Sequence, residues 1–84
     1  MGNTEFVERA TKSVIDYYNE RHGLELTEDD VYVVWLCKTL QNNKALLSTT
    51  VADGMYYEVT YNGNKNEMYL DAYKKCENVC LGVE

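Results

Sequence analysis

His22 is the only histidine in the chain. Any nucleophile–base pair, and any imidazole metal site, would have to be built on it. It falls where a helix is predicted to end, and the helix dipole favours a cation there, so capping or a solvated position accounts for it without chemistry. Cys37, Cys76 and Cys80 are the only thiols. Cys76 and Cys80 are four apart and would share a face of a helix, so with Cys37 they could begin a metal site. A structural zinc site wants four ligands, usually in close Cys-x-x-Cys pairs, and this spacing does not supply them. Packing cysteines are the plainer reading and a redox pair the sharper one. Glu25, Glu28, Asp29 and Asp30 could hold a hard cation, but they lack the alternating ligands and central glycine of a calcium loop. A solvated acidic connector is the bland reading; a contact patch for a basic partner, carried by Glu28, Asp29 and Asp30, is the functional one. Asn62-Gly63-Asn64 is too short to cradle a phosphate, and neither Gly-x-Ser-x-Gly nor His-Glu-x-x-His occurs. The expectation is a protein that is not an enzyme, with no catalytic residue, no metal and no cofactor.

The tyrosines are the least ordinary feature. Eight tyrosines and one tryptophan occur in 84 residues, and all the tyrosines but Tyr17 and Tyr18 lie on predicted strands. Tyr57, Tyr61, Tyr69 and Tyr73 take alternate positions on two successive strands. If the register matches, they share one face, opposite Met68 and Leu70. Tyrosine offers large rigid area with a polar tip, which interfaces use. Cross-strand aromatic pairs that merely stiffen the sheet are the competing account.

These residues need elements to hold them. Residues 4–22 carry an apolar stripe at helical spacing: Val7, Ala10, Val14, Tyr17 and Tyr18, widened by Phe6. Asn3 or Thr4 is placed to cap the first turn and Gly23 to end the last in a left-handed conformation. Thr27 and Asp30 are spaced as a capping box. From Val31 the texture turns β-branched and aromatic. Val31 to about Leu40 reads as a first strand, hydrophobic enough to be an inner one. Gln41-Asn42-Asn43 reads as a turn and Lys44–Val51 as a second strand. Asp53-Gly54 marks a hairpin, and Met55–Tyr61 is the third strand. Glu67–Lys74 is the fourth. Tyr69, Ala72, Tyr73, Cys76, Val79 and Cys80 also fit a helical period, but the preceding glycine turn and clean alternation favour a strand. The predicted fold is α+β, one domain over residues 1–84, with an N-terminal helix packed on a four-stranded antiparallel meander (αββββ). Its edge strands invite pairing between chains, so a homodimer is expected.

Composition narrows the partners. Hydrophobic residues make up 45% and charged residues 26%, as in an ordinary globular domain. The formal charge of −6 excludes a nucleic-acid binder that works by neutralising phosphates. No apolar run approaches a membrane span. An odd number of cysteines and the start Met1-Gly2-Asn3-Thr4-Glu5, with no basic or apolar run, point to a reducing cytoplasm.

Four stretches carry a resemblance: Val31-Tyr-Val-Val-Trp-Leu-Cys-Lys-Thr-Leu-Gln41, Lys44-Ala-Leu-Leu-Ser-Thr-Thr50, Asp53-Gly-Met-Tyr-Tyr-Glu-Val-Thr-Tyr-Asn-Gly63 and Tyr69-Leu-Asp-Ala-Tyr-Lys-Lys75. Over residues 5–81 the chain resembles a family of small proteins of phages and prophages of Gram-positive bacteria, catalogued as a domain of unknown function. In that family a tryptophan often stands where this chain has Asn43, and another where it has Cys76. The resemblance implies a phage-encoded accessory protein of the host cytoplasm and supplies no activity. The reading that follows is a non-enzymatic interaction module for a host or phage protein, one version being an inhibitor of a host defence system. A small-ligand binder with an aromatic pocket and a structural subunit of a phage complex are the alternatives.

Overall fold

In a computed structural model, which describes residues 1–83, one helix is followed by a four-stranded meander, as the periodicities require. Helix α1 spans Asn3–His22. It starts one residue earlier than predicted, with Gly2 at the N-cap position. Asn3 is thereby released from capping, and its side-chain oxygen accepts from Asn43 Nδ2 at 3.5 Å. Gly23 ends the helix as expected: it sits at φ 64° and donates its N–H to the Asn19 carbonyl at 3.1 Å. A residue with a Cβ is disfavoured in that conformation.

A single 3-10 turn, Glu28–Asp30, leads into the sheet. Strands β1 (Val31–Thr39), β2 (Asn42–Thr49), β3 (Met55–Asn62) and β4 (Glu67–Lys74) pair antiparallel in the order β1-β2-β3-β4. Helix α1 lies across β1, β2 and β3. Its stripe Phe6, Ala10, Val14 and Tyr18 closes on Ala45 and Leu47 of β2 and on Tyr57 and Val59 of β3, and all eight are buried. Those strand residues are register partners: Ala45 faces Val59 and Leu47 faces Tyr57. Alternation therefore delivers one continuous apolar patch to one side of the sheet.

Strand β1 is not the inner strand its hydrophobicity suggested. It is an edge, paired only with β2, and every residue after Val31 is exposed. Helix α1 lies over β1 as well as β2 and β3, so the exposure of β1 follows from its edge position, with no strand on its outer side. The turn after β1 also comes earlier than predicted: Leu40 and Gln41 form it, so Asn42 and Asn43 belong to β2. Register slips between Val33 and Trp35. The bulge sends Val31 and Val33 to the helix side, opposite Thr49 and Leu47, but turns Trp35 to the open side, opposite Leu46.

Candidate protein-binding face

The face of the sheet away from α1 has no covering layer among the described residues. The β-ladders align Tyr32 with Ser48, Ser48 with Tyr56, and Tyr56 with Tyr73. Three tyrosines thus stand in one row across all four strands. Ser48 is buried in that row, its hydroxyl donating to the Met55 carbonyl at 2.8 Å. The next row holds Trp35, Leu46, Glu58 and Asp71, and the one after it Cys37, Lys44, Thr60 and Tyr69. Tyr32, Trp35, Tyr69 and Tyr73 each keep about 40–50% of their surface in solvent. Lys44 meets Glu58 at 3.5 Å, leaving Asp71 and Glu67 to give the face acidic character. The neighbouring Glu67 carboxylate holds the Tyr69 phenol pKa above its ordinary value.

The four tyrosines singled out by alternation do not share this face. Tyr69 and Tyr73 are on it. Tyr57 and Tyr61 are on the other, the same face as Met68 and Leu70. The cause is the loop between β3 and β4. It is four residues long, Gly63 to Asn66, and an even loop pairs odd positions with even ones. Tyr57 is therefore opposite Ala72 and fully buried, and Tyr61 is opposite Met68, with its hydroxyl donating to Asn66 Oδ1 at 3.0 Å. Tyr32, Trp35 and Tyr56 occupy the open face instead. Loop length was the sequence signal for Tyr56; the bulge that aims Trp35 has no such signal.

The acidic connector divides by role. Glu28 and Asp29 are exposed. Asp30 is a structural joint. Its carboxylate accepts from the Thr27 N–H at 2.9 Å, the Thr27 hydroxyl at 3.2 Å and the Thr50 hydroxyl at 3.2 Å. Its own carbonyl accepts the Thr50 N–H at 2.8 Å. The Thr27 N–H bond, with smaller help from the two hydroxyls and against some desolvation, holds the Asp30 carboxyl below its usual pKa. The connector reaches the sheet where β1 begins and β2 ends, the same end as the tyrosine row.

The interior between helix and sheet is filled by the eight-residue core. Two of the surface hollows have a volume of about 270–280 Å³ each. One on the open face is lined by Cys37, Thr39, Asn42, Asn43, Lys44, Thr60 and Asn62. The other, between α1 and β1, is lined by Val7, Glu8, Thr11, Glu28, Val31 and Val33. Neither has an aromatic lining. Cys37 sits on β1, whereas Cys76 and Cys80 lie in the exposed segment after β4. His22 stacks on Tyr18 with ring centroids 4.3 Å apart at the end of α1. Among the described residues no group of three acidic, His or Cys side chains is placed to hold a metal ion, and no helix is long and apolar enough to cross a membrane.

No curated protein and no solved structure matches the chain. A family of unknown function, DUF6275, matches it over residues 7–83, from the second turn of α1 through all four strands, and the chain belongs to that family.

Proposed function

We propose that this protein is a non-enzymatic protein-binding module that engages its partner through the open face of the sheet. The observation that carries the reading is the row Tyr32, Ser48, Tyr56 and Tyr73, which spans every strand on the side α1 leaves bare. Aromatic area of this kind is what interface centres are made of. The acids around it, Glu67 and Asp71, with Glu28 and Asp29 toward the tyrosine end, suit a partner with a basic rim around an apolar centre. On this reading Tyr69, Tyr73, Glu28 and Asp29 keep the contact role expected of them, Tyr32, Trp35 and Tyr56 join it, and Tyr57, Tyr61 and Asp30 serve the fold. The resemblance to small phage and prophage proteins makes the partner a host or phage protein met in the host cytoplasm, and inhibition of a host defence protein one form the interaction would take.

The test is comparative capture. Tagged wild type is set beside a Tyr56→Ser, Tyr73→Ser variant and a control altered only on the outer helix surface, Lys12→Ala. A protein held at low salt by wild type and control, and lost from the double variant, supports the reading. Equal recovery by all three, or recovery of nothing specific by any, overturns it.

A further inference from the structure

We infer that β1 is a self-pairing edge, and that two copies of the chain join β1 to β1 antiparallel about a two-fold axis into one eight-stranded sheet. The inference concerns the edge of the sheet rather than its open face, and it stands independently of the reading above. A sheet edge presents a row of unpaired backbone donors and acceptors, and proteins blunt such rows with charge, proline or cover. The two edges here differ. Strand β4 carries Glu67, Asp71 and Lys74, and Lys75 follows it. Strand β1 runs nine residues, and Tyr32, Val33, Val34, Trp35 and Leu36 form an unbroken hydrophobic stretch, each 36–50% exposed. Its guards are the bulge at Val34 and a single charge, Lys38, beyond that stretch.

Charge selects the occupant. The N-terminal end of β1 is preceded by Glu28, Asp29 and Asp30, and its C-terminal end carries Lys38, its only charged residue. Antiparallel pairing of β1 with a copy of itself brings each Lys38 to the acidic end of the other strand, twice over. Parallel pairing would set like ends together. The interface is thus self-complementary, as a two-fold contact must be.

Sedimentation equilibrium of the full chain tests this. Wild type should weigh twice its 9.7 kDa chain mass at micromolar concentration. Val34→Lys, which puts a charge on the edge, should be monomeric with an unchanged circular dichroism spectrum. Lys38→Glu should raise the dimer dissociation constant at least tenfold, and Asp29→Lys in the same chain should recover most of the loss. A wild type that stays at monomer mass overturns the inference. So does a dimer indifferent to Val34→Lys and to the charge exchange, and a dimer abolished only by Tyr56→Ser with Tyr73→Ser would place self-association on the open face instead. Partner capture is read separately, so each result bears on its own claim.

Discussion

The Tyr17 ring meets the Tyr57 ring edge-on at 5.8 Å, inside a stack that Arg21 closes from above with its guanidinium 3.8 Å from the Tyr17 centroid. The contact pins the last turns of α1 to β3. It also leaves the Tyr57 hydroxyl buried with no hydrogen-bond partner among the described residues. An unsatisfied buried hydroxyl costs about 1–3 kcal/mol. Tyr57→Phe keeps the ring and removes that cost, so the variant should be at least as stable as wild type, with a gain of about 1 kcal/mol in urea unfolding. Tyr57→Ala should lose about 3–5 kcal/mol, because it empties the centre of the core.

Burial, with the nearby Asp53, Tyr18 and Tyr17, pushes the Tyr57 phenol pKa up to about 12. The folded state then holds this proton more tightly than the unfolded chain, whose phenol titrates at its ordinary value of 10.0. Stability is complete below that value and falls as pH rises from 10 toward 12. Unfolding followed at stepped alkaline pH should show the decline in wild type and a smaller one in Tyr57→Phe.

At Asp30 the sign reverses. Its folded carboxyl titrates below the ordinary value of 3.8, so its contribution is present above that value and is lost as pH falls through the folded pKa. Asp30→Asn should lower Tm at neutral pH and narrow the gap to wild type under strong acid. An acid-unfolding series on the two proteins measures both effects.

Gly63 lies against the neighbouring hairpin. A Cβ there would overlap the Gln41 carbonyl oxygen, and the Gly63 N–H donates to Asn42 Oδ1 at 3.1 Å. Gly63→Ala must push the β1–β2 and β3–β4 turns apart, at a cost of about 1–3 kcal/mol. Thermal unfolding should show Tm lower by roughly 4–8 °C per kcal/mol.

Leu40 presents the opposite case. It occupies the tip of the β1–β2 turn at φ 56° and is 89% exposed. A branched side chain is strained in that region by about 1–2 kcal/mol, and this one recovers little of it by burial. Leu40→Asn should raise Tm by a few degrees, about 0.5–1 kcal/mol. A fall in Tm would show that the leucine tip is held by contacts.

Periodicity determined the types of α1, β2 and β3, and for 67–74 alternation needed the preceding glycine turn to favour a strand over the helical period that Tyr69 to Cys80 also fits. The three- and four-residue spacing from Phe6 to Tyr18 makes a helix with one apolar side, and the two-residue alternation in 44–51, 55–61 and 67–74 makes strands, because each pattern puts its apolar residues on a single side only in that conformation. Gly23 and the Thr27–Asp30 pair were legible for the same local reasons. Which tyrosines would meet was not local. It depended on the four-residue loop that sets Tyr56, and not Tyr57, opposite Tyr73, and on the bulge that turns Trp35 outward. The exposure of β1 was likewise a tertiary outcome. Hydrophobic strands look alike whether they lie at the centre or the edge of a sheet, and only the strand order, which leaves β1 without an outer neighbour, decided that Tyr32 to Leu36 would stay exposed.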